Sequence, residues 1–521
     1  MSDTTLEDTA VASSNVAKAS IDPAKKSLMD LVIKSSYDQV QTASATASID
    51  AFMALVPKAD ASRSMAPVDV INFRIAEIDR LIGERLDQIL HNKDFKVLEA
   101  AWKGLHLLVS NTETSSSLKL RVLNVEKKEL QNDLEKAVDF DQSALFKKIY
   151  EEEYGTFGGH PFSVLVGDYA FNRSGGDISL LSNISHVAAA AHAPFIAAAD
   201  ALLFDLPNFT ELGLPRDLSK SFEGDDTIKW RSFRDSDDAR YVSLVLPRML
   251  LRLPYGDNSA PVEGLSYEEN MFGATPEYLA KKGDNNKQYL FGKADHDTYL
   301  WGNPAYALAQ RITNAFAQYG WCAAIRGVEG GGAVTGLPVY IFPTEAAGQL
   351  KSLQCPTELT ITDRREKELN DLGFIALCHK KNSDIAVFFG GQTAGKPKKY
   401  NLEEANANAR VSSMLPYVLA ASRFAHYIKV MMRDKIGSFM TREDVEQFLN
   451  SWIADYVLLN DNAPQTIKAQ YPLREARIDV TTVAGKPGSY RATVFLKPHF
   501  QLEELTASIR LVADLPPPAA T

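Results

Sequence analysis

The chain has 521 residues, 45% of them hydrophobic and 23% charged, and a formal net charge of −10. That length allows several domains or one large layered body, and the acidic balance excludes a binder whose affinity rests on neutralising phosphates, so no nucleic-acid partner is expected. No apolar run is long enough to span a bilayer, and the three cysteines, Cys322, Cys355 and Cys378, include no C-x-x-C pair, which excludes membrane insertion, a disulfide framework and a cysteine-rich zinc site. The opening MSDTTLEDTAVASSNVAKAS lacks the basic and apolar segments of a secretory signal, which points to a cytoplasmic chain.

Residues 1–60 are rich in Ala, Ser, Thr and Asp, with short apolar clusters at 27–33 and 49–56, and read as a flexible arm whose short helices order against a partner. From Ile71 the spacing turns helical. Ile71, Ile75, Ile78, Ile82, Leu86 and Ile89 form one stripe, then Asp94 reads as an N-cap and Phe95, Leu98, Trp102, Leu105 and Leu108 repeat the pattern, giving a helical hairpin within a helical region at 61–155.

An α/β body is expected over 156–400. PFSVLVGDYAF (161–171) reads as a buried strand, the loop NRSGGD leads into an Ala-rich helix from 178 to 192, and PFIAAAD (194–200) is a second strand, making a β-α-β unit with a parallel pairing. The run 239–256 reads as a helix ending or kinking at Pro247, and 257–300 as a surface insertion. Further short strands follow in 320–342, 358–379 and 383–390, with a charged helix over 364–372.

Over 401–521 the sequence predicts a helix pair, a β-hairpin and a disordered tail, LPPPAAT. In SRFAHYIKVMMRDKIGSF (422–439), Phe424, Tyr427, Ile428, Met431 and the stem of Lys435 share a face while Arg423, Lys429 and Arg433 point elsewhere, and Gly437 ends the helix. Thr441 with Asp444 forms a capping box ahead of the stripe Val445, Phe448, Leu449, Trp452, Ile453 and Tyr456. Two strand-like segments follow, with a Gly-Lys-Pro-Gly turn at 485–488. The fold class is α/β in the broad sense, a mixed α+β layered body.

Several features invite a chemical reading, and each has a cheaper structural one. NRSGGD places glycines ahead of a helix N-terminus, as a phosphate site would, but matches neither G-x-G-x-x-G nor the Walker pattern, and capping or turn formation accounts for Asp168. The glycines at 330–332 fit a tight turn. Cys378 and His379 are adjacent on a strand, so they face opposite ways and make no dyad, and His426 reads as a hydrogen-bonded structural histidine. No catalytic, cofactor-binding or metal-binding constellation stands out; the alternative is an α/β enzyme, or another scaffold or baseplate protein, with a ligand pocket near Asp168.

Blocks across most of the chain from residue 70 onward strongly resemble one family in its order. AEIDRLIGERLDQILHNKDFKVLEAAWKGLHLLV, FSVLVGDYAF, DARYVSLVLPRMLLRLPYG, WGNPAYALA, GWCAAIRGVEGGG, CPTELTITDRREKELNDLGFIAL and SRFAHYIKVMMRDKIGSF are similar to the large contractile-sheath subunit of type VI secretion systems, the TssC/VipB family. The resemblance implies a structural subunit that pairs with a small sheath subunit (TssB/VipA family) and stacks with other copies of itself into a helical tube around an inner tube of Hcp. It also implies attachment to a baseplate at the envelope, dismantling by a ClpV-type AAA+ ATPase, and a mesh of strands shared between subunits. In that setting the 61–155 helices pack with the small subunit, and the hairpin at 476–497, with Val480, Thr493 and Phe495, takes strands from neighbours. Leu28, Leu31 and Val32 are the candidate ATPase-recognition helix, by position and apolar spacing.

Overall fold

The isoleucine-rich repeat folds as helix α1 (Pro67–Leu90) in the computed structural model. The structure describes residues 67–257, 259–271, 296–342, 355–435, 440–460, 462–482 and 490–499, with short pieces at 47–48, 51, 281–282, 288–289, 352–353 and 438. The chain divides into two compact units, one holding α1 and Tyr255–Asn270, the other His91–Pro254 and the chain from Met271 onward. In the first unit α1 receives the 255–270 segment on a polar side. The Tyr267 hydroxyl donates to Asp87 Oδ1 at 2.7 Å, the Asn270 amide donates to the same oxygen at 3.1 Å, and the Tyr267 ring lies where a Cβ on Gly83 would stand 3.1 Å from it. Asp79, Gly83 and Asp87 are spaced by four, so they line one side of the helix, and the glycine makes room for the ring.

The second unit opens with helix α2 (Lys93–Ser110). Its N-cap is Asn92, not Asp94: the Asn92 side chain accepts from the amides of Asp94 and Phe95 at 2.9 and 3.3 Å. Asp94 sits instead in the first turn, where its charge suits the helix dipole. Helix α3 (Lys127–Lys136) and a π-helical stretch, Lys147–Tyr154, lead to the predicted β-α-β unit. Strand β1 (Leu165–Phe171) and strand β2 (Phe195–Ala199) pair in parallel, joined by helix α4 (Gly175–Ala191).

The run 239–256 corrects the sequence expectation, because it holds strand β3 (Val242–Leu246) and the short strand Met249–Leu250 where a helix was predicted. All five residues of β3 are buried. A strand paired on both edges and covered on both faces is apolar throughout and carries no alternation to separate it from a buried helix. The sheet is completed by β4 (Ala333–Val334), β5 (Phe374–His379) and β6 (Ala386–Phe388), in the order β1-β2-β3-β5-β6-β4. β1, β2, β3 and β5 run parallel, while β6 is antiparallel to both β5 and β4.

Alternation along these strands divides the core. Phe195, Ala197, Leu244, Phe374 and Ala376 pack with α4 residues Ile178, Leu181, Ile184 and Val187, whereas Ile196, Val245, Ile375 and Leu377 pack with Ala305, Leu308 and Ile312 of helix α5 (Ala305–Tyr319). Each strand residue thus meets one of two helical layers according to its parity. The predicted charged helix is α6 (Asp363–Asp371).

Helices α7 (Leu415–Asp434) and α8 (Arg442–Ala454) form the predicted pair. The capping box is present: the Asp444 amide donates to Thr441 Oγ1 at 3.3 Å and the Thr441 amide donates to Asp444 Oδ2 at 2.9 Å. Helix α7 ends at Asp434, capped by Lys435, ahead of Gly437. Strands β7 (Leu473–Thr482) and β8 (Tyr490–Pro498) make the C-terminal hairpin, with Asp479 opposite Thr493 and Arg477 opposite Phe495. Gly437, the turn at 485–488, the tail LPPPAAT and the arm residues Leu28, Leu31 and Val32 lie outside the described residues.

Candidate interaction surfaces

The residues weighed for chemistry are occupied by the fold. At the head of α4, Ser174 caps the helix by accepting from the Asp177 amide, and Asp177 Oδ2 accepts from the Asn172 amide at 2.9 Å and from Lys127 Nζ at 2.7 Å. The positive end of the helix is thus met by its own carboxylate. Asp168 lies on the sheet edge, and its Oδ1 accepts from Asn303 Nδ2 at 3.2 Å. The residue is exposed, and the desolvation that raises its pKa outweighs the lowering hydrogen bonds of Asn303 and Tyr306. Glycines 330–332 form a turn packed on backbone: a Cβ on Gly330 would stand 2.2 Å from the Arg326 carbonyl oxygen, and one on Gly332 2.7 Å from that of Phe388.

Cys378 is buried, and burial pushes its thiol up to about 12. His379 pairs instead with Cys355, which raises the imidazole's pKa, while its Nε2 donates to the Ser383 carbonyl at 2.8 Å. Burial raises the Cys355 thiol, but bonds with His379, Thr357 and Thr360 outweigh it and leave the thiol below its ordinary value. Spacing offered no sign of this pair, because its members come from separate segments that meet only in the folded chain. Among the described residues no three His, Cys, Asp or Glu side chains form a group able to hold a metal ion.

Helix α7 is a spine of the body. Phe424 and Ile428 are buried with Trp321, Val445, Leu449 and Ile453, and the rings of Trp321 and Phe424 stack at 4.4 Å. Its cations reach the π-helical stretch, where Lys429 Nζ lies 3.5 Å from the Tyr154 ring centre and Arg433 donates to the carbonyls of Tyr154 and Thr156 at 2.8 and 2.7 Å. Lys435 Nζ sits 4.8 Å over Phe448, as the shared face of its stem predicts.

Exposed apolar side chains remain on α1, on α2 and on the hairpin. On α1, Ile75, Ile78, Ile82 and Ile89 are exposed, at 51, 51, 42 and 52%. On α2, Gly104 and Leu108 face the core, while Leu98 and Trp102 stand out, Trp102 at 66%. An amphipathic helix normally turns such a stripe inward; here a polar side of α1 makes the internal contacts.

The hairpin is exposed on one face only. Its inner face packs on α8 through Ile478, Val480, Val494 and Leu496, and Val480 is buried there. Thr493 and Phe495 face outward and are exposed, with the Arg477 guanidinium 4.9 Å over the Phe495 ring. The pair forms a two-stranded sheet, with Leu473 at its start also bridged to Val457.

Residues 72–395 match the family VipB, described as EvpB/VC_A0108, tail sheath N-terminal domain, and residues 404–515 match VipB_2, the tail sheath gpW/gp25-like domain. The chain is 47% identical over 448 residues to the type VI secretion system sheath protein TssC1 of Pseudomonas aeruginosa, covering 85% of each sequence. Among solved structures it is similar to the contracted PVC sheath complex of an extracellular contractile injection system, with TM-score 0.33, 9% identity, and coverage of 63% of this chain and 67% of that one. The contracted helical sheath of the anti-feeding prophage gives TM-score 0.30 and 9% identity, over 63% of this chain and 66% of that one.

Proposed function

The chain belongs to the VipB family of tail sheath proteins, and on that premise we propose that it is the large subunit of a type VI secretion sheath, pairing with a small sheath subunit and polymerising with copies of itself into a contractile tube. The observation that carries the pairing is the exposed isoleucine stripe of α1. Each buried methylene is worth about 0.8 kcal/mol, so leaving several isoleucines in water is costly unless a partner covers them. A helical small subunit with a matching apolar stripe is the partner this surface fits. The role is structural rather than enzymatic.

Contacts that do not close on themselves generate a helix of subunits, so one heterodimer with complementary faces builds a long tube. The tube encloses an Hcp inner tube and rests on a baseplate. Contraction then draws on free energy held in a metastable extended packing, and the chain itself needs no nucleotide. Neighbours are linked by strands added at the β7–β8 hairpin, around Val480, Thr493 and Phe495. A ClpV-type ATPase recycles the contracted sheath through the arm helix with Leu28, Leu31 and Val32.

Negative-stain electron microscopy of the chain with and without a co-expressed small sheath subunit tests the proposal. Hollow tubes only on co-expression are expected. Dispersed particles in both samples would refute it.

A further inference from the structure

Cys355 and His379 form a thiol–imidazole pair. His379 Nε2 donates to the Ser383 carbonyl at 2.8 Å. A carbonyl only accepts, so Nε2 carries a proton and Nδ1 is the nitrogen left for the Cys355 sulfur. One hydrogen bond then serves both protonation states of the pair. A thiol donates to neutral Nδ1, and an imidazolium donates from Nδ1 to a thiolate.

The sulfur has two further donors. The Thr357 amide bonds to it, and the Thr360 hydroxyl donates to it at 3.6 Å. The Thr357 hydroxyl also lies 3.1 Å away, but its hydrogen goes to the Leu359 carbonyl at 2.8 Å, so it offers the sulfur no proton. Three donors, one of them able to carry a full positive charge, meet at one sulfur, which is the setting a thiolate needs. The titration agrees with the geometry. Burial raises the Cys355 thiol, yet the hydrogen bonds leave it below its ordinary value, while the bond to Cys355 lifts His379 above its own. Cys322 and Cys378 have no such setting, and desolvation pushes both up to about 12.

The pair sits where parallel strands of the sheet end. His379 is the last residue of β5, and the Cys355 segment is tied to the chain leaving β3, the Leu250 amide donating to the Pro356 carbonyl at 2.8 Å and the Glu358 amide to the Arg248 carbonyl at 3.1 Å. Cys355 and His379 are half-buried and Thr360 is exposed, so a small solute can reach the sulfur.

We propose that Cys355 is a peroxide-reactive cysteine, oxidised to a sulfenic acid with His379 as the proton donor. The thiolate attacks one oxygen of hydrogen peroxide. The S–O bond forms as the O–O bond breaks, and the sulfur gives up the two electrons that the peroxide takes. His379 passes its Nδ1 proton to the departing hydroxide, so the products are Cys355 sulfenic acid, one water and a neutral imidazole. The inference concerns modification of the chain and is independent of how the chain assembles.

The test uses the purified full-length chain, hydrogen peroxide and a dimedone-type trap for sulfenic acids. Labelling is followed against pH by peptide mass spectrometry, in wild type and His379→Gln, beside an unstructured peptide of residues 352–360. Near neutral pH an ordinary thiol is only a few per cent ionised, so Cys355 in the folded chain is expected to label roughly tenfold faster than in the peptide. Its rate should level off below pH ~8.5, where the peptide is still climbing. Gln keeps a donor for the sulfur but carries no mobile proton, so His379→Gln should slow labelling near neutral pH by roughly tenfold and move the profile up to that of the peptide. A histidine that only supports the fold would leave that profile in place. Folded Cys355 labelling no faster than the peptide, or an unchanged profile in His379→Gln, would overturn the proposal. If His379→Gln does not fold, the wild-type profile decides: a rate that rises with pH as the peptide's does refutes the pair.

Discussion

His426 shows what burial does to a single residue in this chain. Its Nε2 donates to the Ala191 carbonyl at 2.8 Å, Nδ1 is buried without a hydrogen bond, and the ring is neutral. Burial, opposed by that backbone bond and helped by Arg423, His192 and Lys429, pushes its pKa down to about 4. In the unfolded chain a histidine titrates near 6.5. Between those values the unfolded state binds the extra proton, so stability is fully present above pH ~6.5 and is lost as pH falls towards about 4, by about 3 kcal/mol in all. His192, lowered chiefly by burial, adds to the same slope. Urea denaturation of the purified chain at neutral pH and near pH 5 should show the loss, and His426→Gln should flatten most of it. An equal loss in the variant would assign the slope elsewhere. The sequence placed His426 on a helix and favoured a structural role, but the carbonyl it meets lies at the end of a helix more than two hundred residues earlier, which no local spacing reveals. Cys355 and His379 were hidden in the same way, since they come from separate segments and meet only in the folded chain.

At the scale of elements, legibility followed the physics of burial. Periodicity and capping chemistry located α1, α2, α7 and α8, because amphipathic helices announce themselves. β3 was misread, since a strand buried on both faces has no polar phase. Nothing in the spacing of α2 marks Gly104 as its contact point with α5. A Cβ there would stand 2.4 Å from Cδ2 of Tyr306, a buried ring whose hydroxyl is engaged with Asp168. Gly104→Ala therefore sets two effects against each other: about 1 kcal/mol gained in helix propensity and about 1–3 kcal/mol lost to overpacking where the ring has no free place to move. The clash should win, with a net loss of about 1 kcal/mol in a denaturation midpoint. A stabilised variant would mean that the α2–α5 contact yields more easily than its geometry indicates.

For the whole molecule, the decisive ambiguity is where an apolar stripe points. Ile75, Ile78, Ile82 and Ile89 predict a helix with equal force whether they face the chain's own core or another protein, because 3.6-residue periodicity carries no information about whose surface fills the groove. In the structure these side chains are exposed while Asp79, Gly83 and Asp87 make the contacts within the unit. The double change Ile78→Glu with Ile82→Glu separates the alternatives. Surface changes away from packed contacts alter stability by within about 0.5 kcal/mol, so the isolated chain should unfold at nearly the wild-type midpoint. Two carboxylates in an apolar interface, by contrast, would need desolvation with no partner, so co-purification with the small sheath subunit and tube formation should both be lost. If the chain alone is strongly destabilised while tubes still form with partner present, the stripe belongs to the chain's own core, and another surface must hold the heterodimer together.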